Sequence, residues 1–150
     1  MRILIQEALD ASVEVDGKIA GRIDRGMVAL VGFTYGDTAT TVSRMVEKML
    51  NLRIFPDREG NTNLSLKDYG GNILAVSQFT LYADVRKGNR PSFVKSLPKE
   101  EAKELFDTFQ RELSLRRPES QYGIFHAEMK VKLTNVGPFT ILLDSEELGY

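Results

Sequence analysis

Hydrophobic and polar residues alternate near the start of the chain, which is the pattern of half-buried β-strands. Val13 and Val15 alternate with polar residues, Asp16-Gly17 comes next, and Ile19 and Ile23 follow it. Asp-Gly between two such runs is typical of a type I′ turn, because that turn needs a positive φ at both central positions. The pattern therefore predicts an N-terminal β-hairpin.

Three further segments have the composition of strands. Met27–Phe33 is continuously apolar and short, and Asn72–Leu81 is a second apolar run that ends in polar residues. Such short runs are typical of strands buried on both faces. Asn51–Pro56 is also predicted to be a strand, and its proline is expected to end it.

Two segments have apolar residues at helical spacing. Asp37 or Thr38 is expected to cap the first helix, and the second is expected to begin near Pro98, which suits a first helical position. Strands with two interposed helices predict one α+β domain over residues 1–150, with the helices packed on a sheet. The apolar positions are Val42, Met45, Val46 and Met49 in the first helix, and Ala102, Leu105, Phe106, Phe109 and Leu113 in the second.

Residues 135–140 separate two predicted strands near the end of the chain. Gly137-Pro138 lies at the centre, where the proline lacks an N–H for a ladder and the glycine has no side chain to pack. Such an interruption is typical either of an ordinary tight turn or of a loop held in a set shape at a functional site. The alternating apolar residues are Met129, Val131 and Leu133 before the interruption, and Phe139, Ile141 and Leu143 after it.

The composition excludes several classes of function. Of the 150 residues, 42% are hydrophobic and 27% are charged, which is typical of a soluble globular protein. The absence of cysteine excludes disulfides and thiolate catalysis, and with a single histidine we expect no metal site and no cofactor. No run is long enough to span a membrane and no signal-peptide pattern is present, so we expect a cytoplasmic protein.

The basic residues are unevenly placed. The net charge of −1 argues against a general nucleic-acid binder, but it does not exclude a local contact. Arg86, Lys87, Arg90 and Lys95 fall within ten positions. This cluster is either a solvated face or a focused binding surface.

Polar residues at the end of the second buried strand are candidates for chemistry, because a rigid strand end positions side chains well. Ser77-Gln78-Phe79-Thr80 follows an apolar run, and His126 is the only histidine that a serine or threonine could use as a base. A Ser/His hydrolase that uses Ser77 and His126 therefore remains an alternative. Without such a pair, an enzyme of this composition would depend on backbone amides and rigid geometry.

Two motifs closely resemble the paired signatures of the D-aminoacyl-tRNA deacylases. They are Ser77–Leu81, which reads SQFTL, and Asn135–Thr140, which reads NVGPFT. Either motif could occur by chance, but both in this order and spacing are specific. The similarity extends over essentially the whole chain and includes Ala11–Val13, Asn51–Phe55, Lys87–Phe93 and Met129–Val131.

The resemblance implies an esterase that removes D-amino acids, and also glycine, from the 3′ end of tRNA. It implies a mostly antiparallel or mixed, barrel-like sheet with two main helices, and a homodimer with its active sites at the subunit interface. In that family Gly137-Pro138, joined by a cis bond, reaches into the partner's pocket. The implied catalytic residues are Gln78, Phe79 and Thr80, and the implied substrate-binding residues are Ser77, Met129, Gly137 and Pro138.

The resemblance also implies how such an enzyme selects and hydrolyses its substrate. Rigid carbonyls at Gly137 and Pro138 would clash with an L side chain and let D residues and glycine pass. The 2′-hydroxyl of the terminal ribose would assist hydrolysis, so Thr80→Ala is expected to retain substantial activity. Four positions depart from the common pattern, namely Glu7 in place of arginine, Val136 in place of aspartate, Phe139 in place of valine, and His126 in place of a small residue.

Two alternatives remain beside the Ser/His hydrolase. One is a non-catalytic α+β module that binds tRNA or another ligand. The other is a sister deacylase with a trans Gly-Pro bond that accepts small L-amino acids.

Overall fold

A long antiparallel hairpin organises the fold. Strand β1 (Arg2–Val15) pairs with β2 (Lys18–Gly32) over almost their full lengths. The connecting residues Asp16 and Gly17 have φ angles of 49° and 76°, the two positive values that a type I′ turn requires. The predicted hairpin is therefore confirmed. This computed structural model describes residues 1–150.

The hairpin forms the middle of a mixed five-stranded sheet whose order is β6-β5-β2-β1-β7. Strand β5 runs parallel to β2, β6 runs parallel to β5, and β7 is antiparallel to β1. A separate two-stranded ribbon joins β3 and β4. The predicted α+β class is thus confirmed. The remaining elements are α1 (Ala39–Asn51), β3 (Phe55–Pro56), β4 (Thr62–Leu64), α2 (Leu66–Tyr69), β5 (Asn72–Ser77), a 3₁₀ turn (Phe79–Tyr82), α3 (Lys99–Arg116), β6 (Gln121–Tyr122) and β7 (Lys130–Asp144).

The two long helices begin close to their predicted starts. Thr38 caps α1, because its hydroxyl accepts a hydrogen bond from the N–H of Thr41 and the Thr41 hydroxyl accepts one from the Thr38 N–H. Pro98 is the N-cap of α3 and not its first helical residue. None of the helices carries an apolar stretch long enough to cross a membrane. The apolar residues of α1 and α3 that are fully buried are Val42, Met45, Val46, Met49, Phe106, Phe109 and Leu113.

The sheet buries side chains on both faces. Met27 and Ala29 of β2 join the main core with the helices, whereas Val28 between them belongs to a smaller cluster. Successive strand residues point to opposite faces, so the two clusters lie on opposite sides of the sheet. The smaller cluster consists of Ala8, Ala11, Val13, Ile23, Val28, Leu74 and Val76.

Two predicted strands end in other places than expected. Asn51 is the last residue of α1, so only Phe55–Pro56 of the predicted strand is paired as a strand. The helix continues through this region because Met49 still lies on its buried stripe. The predicted strand at Asn72–Leu81 ends at Ser77, since Gln78 leaves the strand conformation and the next four residues form the 3₁₀ turn.

The segment around Gly137-Pro138 is a bulge within one strand, and the prediction of two separate strands is wrong. Pairing between β1 and β7 passes from Ala8–Asn135 directly to Gln6–Thr140, so residues 136–139 stand opposite Glu7 alone. The Asn135 side chain closes this bulge. It accepts a hydrogen bond of 3.1 Å from the Phe139 N–H and donates one of 3.0 Å to the Thr140 hydroxyl. These bonds replace missing ladder bonds, so β7 keeps its direction.

Candidate active site

A cavity of about 550 Å³ opens beside the carboxyl ends of β2 and β5. Most of its lining is apolar, with a few polar residues, which is the usual composition of a small-molecule site. Three segments provide most of the wall, and Leu97 together with the first turn of α3 completes it. The segments are 31–33, 76–79 and 125–129, and the other lining residues are Leu97, Lys99, Ala102 and Val131.

The part of the wall formed by Ser77–Phe79 is held by the neighbouring strand β2. The N–H of Gln78 donates a hydrogen bond of 2.7 Å to the carbonyl of Val31. Gly32 allows this approach, since a Cβ there would lie only 2.7 Å from the Gln78 carbonyl oxygen. Ser77, Gln78 and Phe79 therefore enter the cavity wall from a fixed backbone.

Thr80 lies just beyond the wall. Its side chain is exposed, and its hydroxyl accepts a hydrogen bond from the side-chain amide of Gln78. Phe79 before it is 55% exposed, which is unusual for a phenylalanine. The 3₁₀ turn thus presents an aromatic ring and a hydroxyl to the outside at the cavity mouth.

Arg2 fixes the far end of the 3₁₀ turn. Its guanidinium donates hydrogen bonds to the Asp144 carboxylate at 2.7 Å and to the Leu81 carbonyl at 2.9 Å, and it lies 4.7 Å from the centroid of the Tyr82 ring. Burial raises the pKa of the Tyr82 hydroxyl far above its ordinary value. The phenol is therefore neutral near pH 7 and offers no base to the site.

The segment before β7 forms the opposite wall. Met129 reaches the cavity past Gly123, where a Cβ would lie 2.7 Å from the Met129 sulfur. Phe125 packs on Phe106 of α3 with ring centroids 5.7 Å apart. The wall is therefore tied to the main core.

His126 is exposed at the edge of the same cavity and has a φ of 63°. The Ser/His alternative needs His126 close to Ser77, and both residues do line this cavity.

Gly137 and Pro138 do not contribute to the cavity of their own chain. Both residues are exposed, and the peptide bond between them is cis. Of the seven site residues predicted from the sequence, four line the cavity, and Thr80, Gly137 and Pro138 lie outside its wall. The four that line it are Ser77, Gln78, Phe79 and Met129.

Glu7 is a buried carboxyl group opposite the bulge. Only 6% of the residue is exposed, and it lies between Met27 of β2 and residues 136–139 of β7. Burial raises the pKa of this carboxyl group above its ordinary value. The carboxyl group of Glu7 is therefore held inside the fold beside the bulge.

A family model described as D-Tyr-tRNA(Tyr) deacylase matches residues 4–144. The chain belongs to this deacylase family. Two similar relatives are named D-aminoacyl-tRNA deacylase, one from Listeria innocua and one from Kosmotoga olearia. The Listeria innocua protein is 50% identical over 148 residues, which cover 99% of both chains. The Kosmotoga olearia protein is 50% identical over 147 residues, which cover 98% of this chain and 99% of the relative.

Solved structures give the same result for the fold. A c-Myc DNA Unwinding Element Binding Protein superimposes with a TM-score of 0.90 and 38% identity, covering 96% of this deacylase and 98% of that chain. A probable eukaryotic D-amino acid tRNA deacylase superimposes with a TM-score of 0.82 and 20% identity, over 95% and 97% of the two chains. The second likeness shows the fold alone.

The deacylase is therefore a hydrolase that acts on D-aminoacyl-tRNA, as the family and its similar relatives indicate. Its substrate is an ester between the carboxyl group of an amino acid and the terminal ribose of a tRNA. A largely apolar cavity with a few polar groups suits the end of such a molecule.

Proposed function

We propose that the deacylase, acting as one domain over residues 1–150, removes D-amino acids and glycine from the 3′ end of tRNA and rejects L-aminoacyl-tRNA. The observation that carries this proposal is that the two motifs lie in different places within one subunit. Ser77–Phe79 line the cavity, whereas Gly137-Pro138 is exposed and contributes nothing to that cavity. A second subunit is then needed to bring the loop to the pocket.

A homodimer satisfies this requirement through the exposed bulge. The tip of the bulge is free to enter the open mouth of a neighbouring cavity. Asn135 and Thr140 hold the bulge at its base, so the tip is presented in one shape. Each active site would then combine the wall of one subunit with the loop of the other.

Exclusion of L side chains is the simplest way for such a site to be selective. D- and L-aminoacyl esters differ only in the direction of the side chain at the α-carbon. Carbonyl groups of Gly137 and Pro138 on the L side of that carbon would clash with any L side chain, while D residues and glycine pass. This arrangement gives little discrimination among D side chains.

The hydrolytic step is assigned to the RNA and to the backbone of the cavity mouth. Water adds to the ester carbonyl carbon, the bond to the ribose 3′ oxygen breaks, and that oxygen takes up a proton. The Thr80 hydroxyl is held by the amide of Gln78, and we assign it no base. The 2′-hydroxyl beside the ester is both donor and acceptor and assists the proton transfer. Backbone N–H groups of Phe79 and Thr80 stabilise the developing oxyanion, since the N–H of Gln78 already donates to the Val31 carbonyl.

Three substrates test the proposed selectivity. D-Tyr-tRNA, L-Tyr-tRNA and Gly-tRNA are incubated with the protein, and loss of each ester is followed over time. We expect rapid loss of the D-tyrosyl and glycyl esters and no loss of the L-tyrosyl ester above the uncatalysed rate. Binding without loss of any ester would favour the non-catalytic module, and loss of small L-aminoacyl esters would favour the sister deacylase.

Mixed dimers test the shared active site. One chain carries Gln78→Ala in the cavity wall, and the other carries Gly137→Ala in the loop. If the sites combine two subunits, a mixed dimer contains one intact site and one site with both defects. Activity on D-Tyr-tRNA should then exceed that of either homodimer. A protein whose mass in solution stays at 16.9 kDa would contradict the dimer.

The Ser/His hydrolase remains a second candidate because His126 lines the same cavity as Ser77. In that mechanism the imidazole would take the serine proton, so His126→Ala and Ser77→Ala should both abolish activity. The RNA-assisted mechanism predicts that His126→Ala retains most activity. Deacylation rates of the folded variants on D-Tyr-tRNA separate the two.

A further inference from the structure

Residues 83–97 form a basic loop at the mouth of the cavity. Asp84 and Ser92 exchange two backbone hydrogen bonds of 2.7 and 2.9 Å, which close the base of its outer part. Gly88 provides the positive φ of 69° that the tip requires. The basic loop is therefore a closed structure with its cationic side chains on the outside.

The basic loop is attached directly to the active-site backbone. The Ser96 hydroxyl donates a hydrogen bond of 2.9 Å to the carbonyl of Phe79, and the Leu97 N–H donates one of 3.1 Å to the carbonyl of Phe33. The Thr34 hydroxyl donates one of 2.6 Å to the carbonyl of Lys95. The position of the loop is thus fixed relative to the 3₁₀ turn.

Three of its four positive charges are free. Arg86 is paired with Asp84 through several hydrogen bonds, which hold the pKa of that carboxyl well below its usual range. Lys87, Arg90 and Lys95 take part in none of the seven ion pairs of the chain. Lysine or arginine side chains without a protein partner beside a substrate cavity are suited to an anionic ligand.

An aromatic surface accompanies these charges. Phe93 is 38% exposed and packs edge-on against Phe79, with ring centroids 4.9 Å apart. Val94 beside it is 75% exposed. Free cations next to an exposed ring are the combination that binds single-stranded nucleic acid, where phosphates meet cations and bases stack on rings.

We propose that the basic loop binds the single-stranded 3′ end of the substrate tRNA. Lys87, Arg90 and Lys95 neutralise phosphates just upstream of the terminal ribose, and Phe93 provides a surface for one of the upstream bases. This inference rests on the proposed function, because the ester must lie at the cavity mouth while the rest of the strand leaves past the residues bonded to Phe79. An RNA strand fits these observations better than an acidic protein does. The strand must run from the loop to the cavity, whereas an acidic protein would have no reason to enter it.

A charge-neutralising pair of substitutions tests the loop. Lys87→Gln with Arg90→Gln removes two of the free charges. The matched control is Arg58→Gln with Lys67→Gln, which removes two exposed charges that line no part of the cavity. Lys67 lies on α2 near the start of β5, whereas the basic loop lies beyond its end. Both proteins are compared with wild type for thermal stability before any assay.

The expected signature is a salt-dependent rise in KM on D-Tyr-tRNA. Each phosphate contact to a single strand contributes about 0.7 to the slope of log affinity against log salt. Loss of two contacts should lower that slope by about 1.4. The ratio of the variant's KM to the wild-type KM should therefore shrink about sevenfold between roughly 50 and 200 mM salt. The D-tyrosyl ester of adenosine, which has no upstream phosphates, should show a much smaller change than the tRNA.

A direct binding measurement keeps the inference separate from the proposed function. A labelled single-stranded RNA ending in CCA is titrated with wild type, loop variant, control variant and a Lys95→Gln variant. Weaker binding by both loop variants, with the control unchanged, supports the proposal. A loop variant that folds and keeps wild-type RNA affinity and salt slope overturns it, even if the ester assays succeed. Failure of wild type to hydrolyse any ester counts against the proposed function alone.

Discussion

The side-chain amide of Gln78 donates a hydrogen bond to the hydroxyl of Thr80 at the mouth of the cavity. The hydroxyl oxygen is thus used as an acceptor by a neutral group, which cannot remove its proton. A nucleophile of this kind needs a base within hydrogen-bond reach. The arrangement favours a positioning role for Thr80 over attack on the ester.

Thr80→Ala should therefore keep much of the activity. Loss of a neutral hydrogen bond costs about 0.5–1.5 kcal/mol, which corresponds to about tenfold or less in rate. A 2′-deoxy substrate removes the assisting group and should react roughly 10²–10⁴-fold more slowly. Single-turnover deacylation of D-Tyr-tRNA measures the first effect, and Thr80→Ser is the matched control. A folded Thr80→Ala protein at the uncatalysed rate, or normal turnover of the deoxy substrate, would contradict the RNA-assisted mechanism.

Gly137→Ala should lower both stability and chiral selectivity. Gly137 has a φ of 114°, and a Cβ there would lie 2.9 Å from the Phe139 nitrogen. The strained backbone costs about 1–3 kcal/mol, and relief of the contact moves the bulge. We expect a lower rate on D-Tyr-tRNA and a higher L-to-D rate ratio.

Gly36→Ala is the control for that substitution. Gly36 has a φ of 90°, and a Cβ there would meet no atom within 4 Å, so the variant carries the backbone cost without the contact. Its selectivity should equal that of wild type. An unchanged L-to-D ratio in Gly137→Ala would count against the loop as the selective element.

Gly26→Ala should prevent normal folding. A Cβ at Gly26 would lie 1.9 Å from the carbonyl oxygen of Asn72, within the parallel pairing of β2 and β5. Because both atoms belong to backbone, relief requires separating the two strands, and we expect a loss of more than about 4 kcal/mol. Gly17→Ala, at a φ of 76° in open space, is the control. Chemical denaturation compares the two, and similar midpoints would contradict this account.

Glu7→Gln should stabilise the protein in a pH-dependent way. Below the ordinary glutamate pKa of 4.5, Glu7 is protonated in both the folded and unfolded chains, so the difference between variant and wild type does not change with pH. As the pH rises through 4.5, the unfolded chain releases its proton first, because burial raises the pKa of the folded state. Wild type therefore loses stability relative to Glu7→Gln between 4.5 and the raised pKa.

Unfolding midpoints in urea between about pH 4 and 8 measure this difference, since the linkage acts through the free energy of unfolding. We expect the stability advantage of Glu7→Gln over wild type to grow as the pH rises and then to level off. A constant difference across that range would show that the Glu7 carboxyl group is not desolvated in the folded protein.

Local chemistry explains the elements that the sequence predicted well. Asp16-Gly17 demands a particular turn, and Thr38 satisfies free N–H groups at the start of α1, so neighbouring residues alone decide both features. The buried stripes of α1 and α3 likewise follow from spacing along one helix.

Distant contacts decide the features that the sequence did not predict. Phe79 and Leu81 continue an apolar pattern that suggests more strand, but the bond from Arg2 to the Leu81 carbonyl belongs to a 3₁₀ turn. The close approach of Met129 to Gly123, where a Cβ would lie 2.7 Å from the sulfur, brings together residues of two different segments. Neither relationship is visible in the residues next to these positions.

The bulge in β7 is a second feature that the sequence pattern predicted only in part. Gly137-Pro138 correctly marked an interruption, but the Asn135 side chain bridges it and lets one strand continue. A side chain that replaces ladder bonds cannot be distinguished by sequence pattern from one that ends a strand.

The bulge lies in an edge strand of the sheet, and this position affects how readily the protein aggregates. β7 runs from Lys130 to Asp144 with β1 on one side only, so its other side is open to pairing. A long open strand is a template on which other chains can add and aggregate. Pro138 has no N–H to offer, and residues 136–139 break the row of amides on which such addition depends. The interruption therefore also limits the addition of further strands to this edge, without preventing a contact made by the tip of the bulge itself.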